Sequence, residues 1–112
     1  MRGIGVDVVS LDHLNDVFGE TFRDAVFTAA EINYAEESGY PLPHYATAFA
    51  GKEAVFKTLR RGWTEGTDVE VRRDEPAPRA VCSGALEAID GADLLLSLSF
   101  DGEYAIAFAV YP

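Results

Sequence analysis

Four side chains stand where their types and spacing could do chemistry. Asp7 lies inside the strand-like run GIGVDVV, and Lys52, Glu53 and Lys57 lie inside the helix-like run FAGKEAVFKTL. Alternation in the first run puts Ile4, Val6 and Val8 on one face and Gly3, Gly5, Asp7 and Val9 on the other. The Asp7 carboxylate therefore stands beside two residues that have no side chain. Two readings are open for it: a strand-end aspartate flanked by turn glycines, or a carboxylate on a face cleared for a bulky ligand. Glu53 and Lys57 are one helical turn apart and reach the same side of their helix. Without further information they read as a solvated ion pair contributing about 0.2–0.5 kcal/mol.

The other reactive residue types are sparse. His44 precedes the long helix and reads as a cap-region or surface residue rather than a general base, and His13 reads in the same way. Cys82 is the single cysteine, which rules out a disulfide within the chain and a cysteine-based zinc cage and leaves a small core residue.

Stepping along the chain, the elements that must position these groups are legible. After the first strand, Leu11, Leu14 and Phe18 recur at helical spacing behind a capping Ser10. A second helix begins at Thr28, where T-A-A-E matches a capping box, and ends at Ser38-Gly39. Tyr40-Pro41-Leu42-Pro43 reads as a stiff extended link. The longest helix is expected over His44 to Arg60, where Lys52 alone interrupts an apolar stripe and Glu53 sits at its rim. Strands follow near 68–71, 79–82, 94–99 and 104–111, with one short helix between Ser83 and Ile89. Asp101-Gly102 turns the last two strands into an antiparallel hairpin near the centre of a sheet.

The 112 residues suit a single domain spanning 1–112 with one core, and an apolar share of 48% beside 25% charged residues is ordinary globular composition. The net charge of −10 argues against nucleic acid and against anionic membranes, because both need a basic surface that displaces counterions. An aspartate interrupts MRGIGVDVVS where a signal peptide needs unbroken apolar residues, and no later run reaches membrane-spanning length. A cytoplasmic location is the expectation.

In order, GIGVDVV, FTAAEINYA, FAGKEAVFKTL, TDVEV and SLSFDGEYAIAFAV resemble the holo-acyl-carrier-protein synthase family of 4'-phosphopantetheinyl transferases across nearly the whole chain. The GIGVD strand and the F-A-x-K-E-A-x-x-K helix are the most specific elements of that likeness. The resemblance implies an α+β fold, with a small antiparallel sheet packed on one long and several short helices, assembled as a trimer with its site between subunits. It implies transfer of the phosphopantetheine arm of coenzyme A to a serine of an apo acyl carrier protein, in fatty-acid or polyketide synthesis, with magnesium as the metal. Asp7 and Glu53 would then be the metal's carboxylate ligands, enough for an ion that takes one or two carboxylates plus phosphates and water. Lys57 would contact the coenzyme A phosphates, Lys52 belongs to the same motif, and Arg60 and Arg61 would add phosphate contacts in a turn that is glycine-rich in the family. Where the family carries docking arginines this chain has His13 and Ala25, and Ala48, Leu95 and Phe100 replace further basic positions. The alternative is therefore a catalytically degenerate member that keeps the fold for binding or assembly.

Overall fold

One long helix, α4 (Pro41–Thr58), crosses a three-stranded antiparallel sheet in the computed structural model, which describes residues 2–112. The sheet order is β1 (Gly3–Ser10), β5 (Tyr104–Tyr111) and β4 (Leu95–Asp101), with β5 in the middle. Three short helices, α1 (Leu11–Val17), α2 (Glu20–Val26) and α3 (Ala29–Glu37), connect β1 to α4. A separate two-stranded ladder of β2 (Val69–Arg72) and β3 (Arg79–Cys82) packs beyond α3 and α4. The α+β architecture is as expected from sequence.

Small residues decide how closely α4 lies on the sheet. On the helix-facing side, β5 offers the fully buried Ala105, Ala107 and Ala109, while β1 offers Gly3 and Gly5. A Cβ on Gly3 would lie 1.9 Å from the Thr58 carbonyl oxygen, and one on Gly5 would lie 2.2 Å from that of Ala54. The glycines thus admit the backbone of α4, which corrects the reading that they clear space for a ligand. Thr58 Oγ1 completes the join by donating to Ala54 O at 2.7 Å, with Ala109 O of β5 at 3.2 Å.

On the other side of α4 the join is electrostatic. Lys52 and Glu31 are both fully buried, and the Lys52 ammonium donates to Glu31 Oε1 at 2.6 Å and to the carbonyls of Gly66 and Val69. Glu31 Oε1 also accepts from Thr28 N–H, closing the expected capping box, and Oε2 accepts from Val71 N–H at 2.7 Å. Burial pushes the Lys52 pKa down, and Glu31 opposes that shift. Removing either partner would leave a buried charge unpaired. An aromatic cluster of Phe18, Phe22, Phe27, Tyr45 and Phe49 ties α1 and α2 to α4, with ring centroids from 4.7 to 6.4 Å apart.

Several boundaries differ from the sequence reading. The stretch Tyr40–Pro43 is not an extended link, because α4 already begins at Pro41. First-turn N–H groups have no intrahelical acceptor, so prolines cost little there. The same helix ends at Thr58 rather than Arg60, since Arg60 turns to φ 57°. Helix α2 was not foreseen, having no side-chain cap and no fully buried residue. Between Ser83 and Ile89 the structure has only the 3₁₀ turn Gly84–Leu86. The hairpin forms with a two-residue Gly102-Glu103 turn, glycine occupying the first central position at φ 60°. Only β5 is central, however, and β4 is an edge strand. β5 is apolar on two faces because its alanines meet α4 while Tyr104, Ile106 and Phe108, beside Ile4, Val6 and Val8 of β1, are exposed; β4 turns Leu96 and Leu98 inward and leaves Leu95, Ser97 and Ser99 outside.

The glycine contacts yield a sharp expectation. Gly5→Ala should destabilise the chain by at least the ~1–3 kcal/mol typical of overpacking, since the clashing atom is backbone and cannot rotate away. A denaturant midpoint equal to wild type would show that β1 and α4 are not held at this distance.

Candidate active site

The close approach of β1 to α4 brings Asp7 against the helix that carries Glu53 and Lys57. Asp7 Oδ1 accepts a hydrogen bond from Lys57 Nζ at 2.9 Å, and the same ammonium donates to Val6 O at 2.9 Å. Glu53, one turn earlier, opens onto the same cleft, a cavity of about 390 Å³. Ser10 at the end of β1 and His13, Leu14 and Val17 of α1 form one wall, and Phe22 and Phe49 complete its apolar lining.

The Glu53 carboxyl senses the Asp7 charge. Burial pushes the Glu53 pKa up, the Asp7 charge pushes it further, and Lys57 partly opposes both. Two carboxylates facing one space are strained against joint ionisation unless a cation shares them. Among the described residues no group of three or more His, Cys, Asp or Glu gathers in a metal-binding cluster. The chain alone therefore offers a pair of hard oxygen ligands and no closed cage, a donor set that fits an ion completing its shell with water and substrate oxygens.

Of the residues singled out in the sequence, Asp7, Glu53 and Lys57 converge here. Lys52 does not, because its ammonium is committed to Glu31 and two carbonyls in the core. Arg60 and Arg61 are exposed just past the end of α4, outside the cavity wall, and Arg61 donates to Ala85 O at 3.2 Å. His44 packs edge-on against Tyr34 and Phe100, away from the cleft. His13, which stands where the family carries a docking arginine, does line the cleft; so do Ser10, Leu14, Val17, Phe22 and Phe49, which sequence reasoning assigned to no site. Their apolar spacing signalled burial alone; that the burial borders a cavity depends on α2.

Comparison with known proteins identifies the family. Residues 3–109 match the family model described as the 4'-phosphopantetheinyl transferase superfamily. The chain belongs to that family, in its holo-acyl-carrier-protein synthase branch. A holo-[acyl-carrier-protein] synthase of Thermodesulfovibrio yellowstonii is 35% identical, over 98% of this chain and 97% of the relative. Among solved structures, the holo-[acyl-carrier-protein] synthase of Neisseria meningitidis superposes with a TM-score of 0.85 at 28% identity, covering 100% of this chain and 98% of its own. That of Helicobacter pylori, solved in complex with coenzyme A, gives 0.82 at 27% identity, covering 97% and 99%. The family is one of enzymes.

The Glu53 environment makes a pH-dependent expectation. A carboxyl whose folded pKa is raised binds its proton more tightly in the folded state, so its contribution to stability is present below the unfolded pKa and is lost as pH rises through the folded one. In metal-free protein at neutral pH, Glu53→Gln should therefore melt higher than wild type. The two melting curves should converge as the pH falls below the ordinary glutamate range. A variant that melts lower at neutral pH would mean that ionised Glu53 is stabilised where it stands.

Proposed function

We propose that this chain transfers the 4'-phosphopantetheine arm of coenzyme A to a serine hydroxyl of an acyl carrier protein, with magnesium held by Asp7 and Glu53. The observation that carries this reading is the convergence of two carboxylates and one ammonium, from β1 and α4, on a single cleft. Solved relatives bound to coenzyme A support the choice of donor. Magnesium, when bound, would neutralise the diphosphate and stabilise the departing phosphate.

The remaining work falls to the chain's own groups. Lys57 is half-exposed and tethered to Asp7, so it can turn its remaining N–H toward a phosphate while keeping the carboxylate aimed. A water held at the Glu53 carboxylate accepts the serine proton as the hydroxyl oxygen attacks phosphorus. The bond to 3',5'-adenosine bisphosphate breaks as the new phosphodiester forms, so charge on phosphorus is redistributed and no redox partner is required.

Arg60 has a specific place in this reading. It occupies the left-handed position that closes α4, with its N–H donating to Lys57 O at 3.0 Å and that of Arg61 to Phe56 O at 3.1 Å. Glycine is the usual residue there, and a side chain costs about 1–2 kcal/mol. A guanidinium kept at that cost, one turn from Lys57, is suited to a phosphate of coenzyme A. The exposed apolar face of the sheet, running from Ile4, Val6 and Val8 across Ile106 and Phe108 to Leu95, supports association into the trimer implied by the resemblance.

Incubation with coenzyme A, magnesium and a panel of apo carrier proteins should add a phosphopantetheine mass to at least one carrier. Asp7→Ala and Glu53→Gln should each slow transfer by roughly 100-fold or more without unfolding the chain, and chelation should stop it. Calorimetry should show weaker coenzyme A binding by Arg60→Gly despite a higher melting temperature. No mass gain on any carrier, with no coenzyme A binding, would leave the non-catalytic assembly role standing instead. Light scattering should give three times the chain mass, reduced by Phe108→Asp; a wild-type monomer would remove the trimer.

A further inference from the structure

A second cavity, of about 350 Å³, opens beside the first turns of α4, with Tyr34, His44, Thr47, Arg73 and Phe100 in its walls. Arg73 is the one Lys or Arg that lines it, and the guanidinium makes no ion pair among the described residues. It lies 4.0 Å over the Tyr34 ring, and its Nη1 donates to His44 O at 3.1 Å and to Thr47 Oγ1 at 2.9 Å. Its Nε and Nη2 are buried with no hydrogen-bond partner among the described residues. Those two nitrogens share the edge of a guanidinium that grips an oxyanion through two parallel bonds. The bonds at Nη1 hold that fork in place, and leaving it empty carries a desolvation cost that an oxyanion would remove.

The register of the sheet says where such an oxyanion would come from. Asp7 and Val9 of β1 pair with Ala107 and Ala105 of β5, and these pair in turn with Leu98 and Phe100 of β4. The Asp7 cleft and the Arg73 cavity therefore stand at one level on the two opposite edges of the sheet. Three copies that bury their exposed sheet faces around one axis set the β1 edge of each beside the β4 edge of the next, because a ring joins unlike surfaces. Rotation alone relates the copies, so with strands running along the axis each cleft meets a neighbour's cavity. We infer that Arg73 of each copy binds a phosphate of the coenzyme A seated in the cleft of its neighbour. This rests on the transferase reading and on the trimer proposed with it. The fork is closed in the single chain, and the rim that a phosphate displaces is Tyr34 and Phe100, 39% and 50% exposed.

Mixed oligomers test this directly. Arg73→Gln should raise the KM for coenzyme A roughly tenfold with kcat little changed, because the contact lies away from the reacting phosphorus. Asp7→Ala and Arg73→Gln chains are then coexpressed with different tags and purified as mixed trimers. In about a quarter of the clefts an intact Asp7 faces an intact Arg73 from the next copy. Transfer at coenzyme A levels well below the raised KM should therefore reappear in the mixture, beyond the sum of the two parents. An Arg73 that served its own cleft would restore nothing, since every chain with Asp7 then lacks Arg73. No reappearance would overturn the inference, as would an unchanged KM in Arg73→Gln or a monomeric wild type by light scattering. Arg73→Lys, which keeps the charge without the fork, takes the same test with the same outcomes should the glutamine chain fail to assemble. If wild type modifies no carrier, calorimetry with coenzyme A decides instead. Binding roughly tenfold weaker in Arg73→Gln would uphold the phosphate contact while sinking the transferase reading, and equal binding would sink both.

Discussion

The approach of β1 to α4 at near-backbone contact is the constraint on which the remainder rests. Gly3 and Gly5 face the carbonyls of Thr58 and Ala54 with no room for a Cβ, and the buried alanines of β5 continue the same shallow floor. Because side chains alternate along a strand, the next residue on that face is Asp7. A separation set by ordinary core residues would stand the Asp7 carboxylate away from the helix. With glycines it falls within 2.9 Å of Lys57 Nζ and beside Glu53. The geometry of the cleft is thus a by-product of tight packing two and four residues away, and it is rigid for the same reason.

Adjacent lysine and glutamate on α4 show how one helix serves two ends. Lys52 points inward, loses all solvent and is held by Glu31 and two carbonyls, which locks α3 and β2 to the helix. Glu53, the next residue, points to the cleft, where Lys57 only partly relieves its charge. Lys57 lies on the Glu53 side and remains half in water. A fully buried, fully bonded ammonium cannot swing out to a substrate without abandoning an uncompensated Glu31 carboxylate in the core. The two lysines of the motif therefore divide into a structural tie and a mobile charge.

That division was beyond reach of the sequence. Periodicity placed Lys52 on the apolar face of α4 correctly, yet its buried partner, Glu31, lies 21 residues away in a capping box whose second role as counter-ion leaves no local trace. What periodicity could deliver was the alternation of β1, the caps at Ser10 and Thr28, the final hairpin and the amphipathic core of α4, all determined by short-range rules. The cleft was legible only as far as its charged residues. Its α1 wall was legible as a helix but not as a cavity wall, and its Phe22 comes from helix α2, which lacks a cap and a buried stripe and so gave no signal. The α4 start was misplaced because two prolines read as breakers, although at a helix N-terminus the missing N–H costs nothing.

The sheet itself shows why hydrophobicity alone misled about its centre. On β1 and β5 the inner face is mostly glycine and alanine, with Asp7 and Val9, and the outer face is isoleucine, valine, phenylalanine and tyrosine, whereas β4 turns Leu96 and Leu98 inward and Ser97 and Ser99 outward. A monomeric sheet exposed to water would ordinarily carry the larger apolar side chains inside, where burial contributes most, and polar ones outside. In β1 and β5 the order is inverted, since the inner face there must stay thin for Asp7 to reach α4. Little apolar area is then buried per residue between sheet and helix, and the outer face holds the surplus. Covering it with another subunit would restore that burial without thickening the layer beneath the cleft. The same demand that positions the carboxylates thus favours association, and site geometry and assembly follow from one choice of side-chain size on two sides of a strand.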